Sequence, residues 1–352
     1  MNVSFRSFIL LYCINKVNGE RSIYGIYHIL TGKKSSQAMT DGEFYQLSFL
    51  FSVMKKLSRE DLIISIDELV SKGLIKMLEE HIYIATPKGN SLLKEEAFTQ
   101  QCFVNGRKYH DTGVQFWQKL TLLIQVLSNL LRDNKEYITI QQDQHILNWT
   151  KHFLLNNTKK KQELSLKIYK ECEKCLSEIS ELEATIFVMK LSSEQRIGWT
   201  NKQIATFLSL DETKVEFLFL NVIHYLLSRV EKAPQSFPAL YEIFISINKR
   251  SPFLTESSEK TYQLLKSGKT IEEVATIRKL KKSTIEDHIV EIVQHDSQFS
   301  INPFVSKEKQ AIIQTTQQSL KTLRLKQIKD VIKSDVTYFE IRLVLARSGV
   351  NK

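Results

Sequence analysis

Residues 278–284 read Arg-Lys-Leu-Lys-Lys-Ser-Thr, four cations within five positions followed by two hydroxyls. Cationic side chains with short hydrogen-bond donors beside them neutralise and bind phosphate oxygens, so this cluster suits a polyanion. Other chemistry is poorly served. The eight histidines show neither HExxH nor another metal spacing, and no GxxxxGK[ST] phosphate loop occurs. Cys172-Glu-Lys-Cys175 is half of a zinc ligand set with no second pair at a useful distance. No catalytic residue, cofactor or metal is therefore expected, and the chain reads as non-enzymatic. Forty-nine Lys and Arg against 39 Asp and Glu give a net charge of +10, which favours an acidic partner such as nucleic acid.

Two short helices must position the cluster. Thr270-Ile-Glu-Glu273 is a capping box, in which the hydroxyl and the carboxylate each take an orphan backbone N–H, and Ser283-Thr-Ile-Glu286 reads as a second one. Between them lie one helix and a turn around Lys279 to Lys282, so the helices meet sharply, with Ala275 at their approach. Ile271, Val274, Leu280, Ile285, Ile289 and Ile292 form the expected core, closed by Tyr262, Leu264 and Leu265 from a preceding helix. This is a helix-turn-helix plan. In a unit that reads DNA, the first residues of the second helix enter the major groove while lysines and backbone amides meet phosphates. The candidate DNA-binding residues are Arg278, Lys279, Lys281, Lys282, Ser283, Thr284, Asp287 and His288, on a solvent face that continues to Glu291. The two acids on that face oppose phosphate.

The unit occurs twice. TNKQIATFLSLDETKVEFLFL, from Thr200, aligns without a gap on the stretch from Thr270, setting Ile204 on Val274, Ala205 on Ala275, Leu210 on Leu280 and Val215 on Ile285. In the earlier copy Asp211 and Glu212 stand where the later one has Lys281 and Lys282. Phe217, Leu218, Phe219 and Leu220 make its last helix apolar on nearly every side, which predicts burial. Its shape is similar to the helix-turn-helix of sigma-factor region 4, but the residues predict a packing unit.

With 352 residues, the chain exceeds the size at which one core usually keeps growing. Five prolines, eleven glycines and abundant Leu, Lys, Glu, Ile and Gln predict a mainly α, multi-module helical protein. In the first hundred residues, RSIYGIYHILTGKK is an amphipathic helix stopping at Gly32. Ser58 with Asp61 begins another, with Leu62, Ile63, Ile66, Leu69 and Val70 on one face, ending at Gly73. Leu74 to Ile75 and Ile82 to Ile84 read as short strands, and Thr86-Pro87-Lys88-Gly89 turns into a last helix. Helices followed by a small β-hairpin predict an N-terminal winged helix. Residues 105–195 read as helical, with Leu120, Leu123, Ile124, Leu127, Leu130 and Leu131 as an apolar stripe and a basic opening at 156–161. Three of the five prolines, Pro234, Pro238 and Pro252, mark a boundary. The last 102 residues hold 17 Lys and Arg against 12 Asp and Glu, half of the net charge. The expected modules are 1–100, a winged helix; 101–180, a helical connection; 181–235, the earlier helix-turn-helix; and 250–352, the later one.

RSFILLYCI near the start is too short for a signal peptide and lacks a cleavage site, and no stretch approaches the roughly 20 apolar residues of a membrane span. Four scattered cysteines fit a reducing compartment. A cytoplasmic, nucleoid-associated protein with no membrane contact is expected.

TYQLLKSGKTIEEVATIRKLKKSTIEDHIVEIV from Thr261, Ile301-Asn302, and VTYFEIRLVLA at 336–346 together resemble the helix-turn-helix domain at the C-terminal end of some RecQ-type DNA helicases, over roughly 255–349. The whole chain also resembles a small bacterial family of stand-alone helix-turn-helix proteins whose genes typically neighbour a short RecQ-type helicase lacking such a tail; GERSIYGIYHILTGKKSSQ and residues 74–89 carry that likeness. The resemblance implies an accessory subunit that partners a RecQ-type helicase on forked or duplex DNA, in repair, recombination or replication-fork maintenance, with replication-fork proteins as further partners. Tyr338, Glu340 and Arg342 share the likeness, although Thr337-Tyr-Phe-Glu340 is also a capping box. The alternatives are a transcription regulator that binds one duplex site and a protein-interaction scaffold.

Overall fold

The computed structural model describes residues 3–98, 100–157, 161–247, 254–296, 298–320, 322–332 and 335–350. Pro252 and residues 158–160 of the basic opening lie outside the described residues. In chain order the elements are α1 (Phe5–Val17), α2 (Ile23–Thr31), α3 (Ser36–Phe44), α4 (Arg59–Ser71), β1 (Ile75–Glu79), β2 (Ile82–Ala85) and α5 (Pro87–Glu95). There follow α6 (Gly106–Tyr109), α7 (Thr112–Leu131), α8 (Gln144–Asn156), α9 (Lys161–Leu176), α10 (Glu181–Met189), α11 (Asn201–Leu208), α12 (Glu212–Lys232) and α13 (Pro238–Ile245). The last six are α14 (Glu256–Lys266), α15 (Ile271–Arg278), α16 (Lys282–His295), α17 (Lys307–Leu320), α18 (Leu325–Val331) and α19 (Tyr338–Val350). The fold is mainly α.

Local chemistry sets several of these ends. Gly32 closes α2 with φ 78°, and a Cβ there would meet the Ser52 side chain at 2.5 Å, so the left-handed turn and the close approach both call for glycine. Ser58 Oγ accepts the Asp61 N–H at 3.0 Å while Asp61 accepts the Ser58 N–H at 3.4 Å, the expected capping box of α4. Leu62, Ile66 and Leu69 are buried, but Ile63 and Val70 are 38% and 45% exposed. The buried stripe of α4 is thus narrower than its apolar composition implies.

The β-hairpin pairs Ile75 with Ala85, Lys76 with Ile84 and Met77 with Tyr83, and turns through His81 at φ 61°. Its first strand runs to Glu79, beyond the two residues expected. Four of its five residues are exposed, so burial imposes no polar–apolar alternation that would have marked it in the sequence.

The chain forms two compact units. Met1–Ile9, Ile64–Leu69 and Ser91–Arg250 make the first; Leu10–Ile63, Val70–Asn90 and Ser251–Lys352 make the second. The first is built around Phe116, Leu120 and Leu123 of α7, Ile168 and Cys172 of α9, Val222 and Leu226 of α12, and Leu240 and Ile243 of α13. Phe237 cannot cap α13 with its side chain, and the buried Glu171 carboxylate does so instead, accepting the N–H groups of Ala239 and Leu240 at 3.1 and 2.9 Å. Cys172 and Cys175 are free thiols in this core, and burial pushes Cys175 up to about 12. Among the described residues no group of three His, Cys, Asp or Glu is arranged to hold a metal ion.

The second unit joins segments from both ends of the sequence, running across the expected ranges 1–100 and 250–352. Its core combines Val274, Ile285, Ile289 and Val293 with Ile313 of α17, Ile328 of α18 and Ile341, Val344 and Leu345 of α19, and Phe44 of α3 packs against it. Gln294 Nε2 donates to Thr40 Oγ1 at 3.3 Å, and the Leu323 N–H donates to Glu20 at 3.1 Å. Contacts of this kind separate residues by about 250 and 300 positions, a distance that no local pattern encodes. No helix among the described residues is long and apolar enough to cross a membrane.

Candidate nucleic-acid interface

The two helix-turn-helix copies have the same backbone. Thr200 and Thr270 each cap the first helix and accept the N–H of the residue three on, at 3.3 Å from Gln203 and 3.2 Å from Glu273; the return bonds are 2.9 and 2.8 Å. Each first helix ends in a left-handed residue, Ser209 at φ 52°, ψ 44° and Lys279 at φ 52°, ψ 43°. The chain then closes through Leu210 N–H to Ala205 at 2.9 Å and Leu280 N–H to Ala275 at 3.0 Å, and extends through Asp211 or Lys281 into the second helix. Ile204 and Val215 in one copy, and Val274 and Ile285 in the other, are fully buried.

The copies part at the start of the second helix. Asp211 caps α12, accepting the N–H groups of Thr213 and Lys214 at 2.8 and 3.2 Å and also that of Phe5 at 3.3 Å. Lys281 occupies the same position before α16 and its side chain makes no capping bond. A lysine has no acceptor, so it leaves the first amides of α16 unmet by a side-chain oxygen and adds a cation where the helix dipole is already positive. That combination favours an anion. The expected second capping box, Ser283 to Glu286, does not start this helix: α16 begins at Lys282, one residue before it. The left-handed Lys279 and the fully buried Ile285 fix the register, and the local Ser-x-x-Glu pattern gives way.

Lys279, Lys281, Lys282 and Ser283 are exposed and Thr284 is half-buried, so the structure brings these five together at the surface around the start of α16. Lys282 donates to Glu272 of α15 at 2.8 Å, an exposed pair that holds its ammonium beside the turn. Asp287 is half-buried and accepts from Arg342 of α19 at 2.6 Å, which offsets the negative charge it would otherwise show a phosphate.

Two of the candidates face inward. His288 is 8% exposed, with Nδ1 2.8 Å from Thr261 Oγ1, and burial and the nearby Arg278 both hold its imidazole below the usual range. Arg278 is half-buried and donates to the Ser257 carbonyl and to Thr261 Oγ1, both at 2.5 Å, and to Ser257 Oγ at 3.0 Å. Both bind α14 to the α15–α16 pair. Glu291, expected on the solvent face, accepts the Thr255 N–H at 2.7 Å and the Ser258 hydroxyl at 2.6 Å. The expected solvent face therefore stops at Asp287, because α14 covers the next turn. Sequence reasoning missed Glu272 and Arg342 as partners of the cluster; Arg342 lies 55 residues from Asp287, and nothing in local spacing reveals such a pair.

The earlier copy carries Phe217 where the later one has Asp287. Phe217 is 1% exposed, with ring centroids of Phe5 and Phe98 each 5.4 Å away. Beyond it α12 is buried through most of the stretch from Leu218 to Leu227, as its all-round apolar character predicts.

A family model for a helix-turn-helix domain matches residues 257–345. Protein YpbB of Bacillus subtilis strain 168 is 35% identical over 352 residues, which span 99% of this chain and 98% of that protein. No solved structure matches the chain.

Proposed function

The chain belongs to the family of Bacillus subtilis YpbB, and we propose that it is a non-enzymatic DNA-binding protein that grips duplex or forked DNA with the start of α16 and serves a RecQ-type helicase as an accessory subunit. The observation that carries the DNA reading is the substitution within the repeat. On one backbone, the second copy has Lys281 and Lys282 where the first has Asp211 and Glu212, and it thereby gives up a helix cap for uncapped amides flanked by exposed lysines. Lost capping costs about 1 kcal/mol, and phosphate contact is the gain that offsets it. Lys279, Lys281 and Lys282 would meet phosphates, while Ser283 and Thr284, at the first turn, lie where a recognition helix meets base edges. The helicase partnership is supported by the resemblance of residues 255–349 to the terminal helix-turn-helix domain of RecQ-type helicases.

Three lysine–phosphate contacts should contribute about −2.7 to the slope of log affinity against log salt. Measuring that slope for the wild type and for Lys281→Glu/Lys282→Glu tests the DNA reading, which predicts weaker binding and a shallower slope in the variant. Recovery of a stoichiometric RecQ-type helicase with tagged protein after nuclease treatment tests the partnership. Preference for one duplex site by roughly 10³-fold or more, with no helicase recovered, would instead establish a transcription regulator.

A further inference from the structure

Beside the start of α16 lies a cleft of about 740 Å³ that shares Lys282 with the candidate duplex contact. Phe299, Phe304 and Phe339 line it, together with Lys269, Lys282 and Glu286. Phe299 and Phe304 stack at 6.0 Å with their planes 19° apart, and Phe339 stands edge-on to Phe304 at 6.3 Å. All three rings are half-buried, unlike Phe5, Phe116 or Phe217, which are shut into the interior of the other unit. The three rings pack against the core of this unit and still line the cleft, and aromatic rings beside lysines are what an unstacked base and its phosphates require.

The cleft is continuous with the candidate interface. Lys282 is both the first residue of α16 and part of the cleft wall, and Lys269 lies on the wall beside the start of α15. The half-buried Glu286 supplies an acceptor of the sort that takes the amino group of cytosine. Other carboxylates on the wall are already engaged: Glu272 holds Lys282 at 2.8 Å, and Glu340 accepts from Lys309 at 2.8 Å and from the Thr337 N–H at 2.6 Å. A phosphate at Lys282 must therefore compete with Glu272, which makes binding there salt-sensitive. The volume falls within the range of about 300–1,000 Å³ that encloses small ligands, and a base stacked within a duplex has no free face to offer such a cleft.

We propose that this cleft receives an unpaired nucleobase from single-stranded DNA next to the duplex held by α16, so that the unit recognises a junction between paired and unpaired strands. The inference rests on the DNA reading above. It is tested with the full chain and two labelled DNAs, a blunt duplex and the same duplex bearing a single-stranded arm, with 5-iododeoxyuridine at the first unpaired position for photocrosslinking. The arm should tighten binding about 5- to 150-fold, the strength of one base–aromatic stack, and Phe304→Ala should remove that gain while blunt-duplex affinity stays within about twofold. Irradiation should crosslink the wild type at Phe299, Phe304 or Phe339, a readout that does not depend on how well the variant folds. Equal affinity for the two DNAs, or crosslinks confined to other residues, overturns the cleft while duplex binding sustains the DNA reading. Binding to neither DNA brings down both.

Discussion

The two helix-turn-helix copies share their capping threonines, their left-handed turn residues and their buried aliphatic positions, yet one is furnished for packing and the other for contact with an anion. The difference lies in a few side chains at the second helix. Asp211 satisfies the amides of α12, and Phe217 in the next turn lies against Phe5 and Phe98. Lys281 leaves the amides of α16 uncapped, and Asp287 stays near the surface in a bond to Arg342. A supersecondary unit thus sets where side chains project, while capping chemistry and burial decide what the projection serves.

The contrast can be broken most severely at Phe217. Phe217→Ala should destabilise the first unit by about 3–5 kcal/mol in urea or thermal unfolding, the cost of an emptied aromatic site. Its counterpart Asp287→Ala should change stability far less and raise DNA affinity slightly, since the carboxylate touches Arg342 rather than filling a core and opposes phosphate.

Exchanging the caps sharpens the comparison further. Lys281→Asp should stabilise α16 by about 1 kcal/mol, by supplying the missing acceptor, while weakening DNA binding roughly 30-fold as a cation becomes an anion beside phosphate. Asp211→Lys should lose about 1–2 kcal/mol of stability without conferring DNA affinity, because Phe217 and the turn beyond it are buried. Paired denaturation and binding titrations separate the two effects.

A titration distinguishes the units in another way. His224 in the first unit is fully buried, accepts the Asn105 N–H at 2.9 Å, and is pushed by burial down to about 3. Its unfolded pKa is near 6.5, so the unfolded chain binds the proton first, and stability present above that value is lost as pH falls through it. The expected loss is about 2 kcal/mol between pH 7.5 and pH 5. His224→Gln, which keeps an acceptor, should flatten that dependence. The smallest effect is expected at the exposed Lys282–Glu272 pair: Glu272→Gln should leave the thermal midpoint unchanged and slightly raise affinity for DNA by releasing Lys282.

The repeat itself was legible because its determinants are local. Thr270 with Glu273, the aliphatic positions and Ala275 all lie within one short stretch, and the basic run at 278–282 was visible beside them. The errors fall where a distant residue decides. His288 has charged neighbours in sequence and reads as a surface residue, yet Thr261, 27 positions away, and the covering α14 place it inside. Ser283 reads as a cap, but the register fixed by Lys279 and Ile285 makes Lys281 the cap residue and puts the helix start two residues earlier. The joining of the N-terminal hairpin region with residues 251–352 in one unit rests on contacts such as Gln294 to Thr40, and no periodicity announces those.

The most direct test of the central claim is a salt titration of duplex DNA binding by the wild type and by Lys281→Glu/Lys282→Glu, with unfolding followed in parallel. The account predicts that the variant folds as well as the wild type, binds at least about 30-fold more weakly at low salt, and loses about two contacts' worth of salt dependence, a change of about 1.8 in slope. Unchanged affinity and slope in a folded variant would contradict it, and would place any DNA contact elsewhere on the chain.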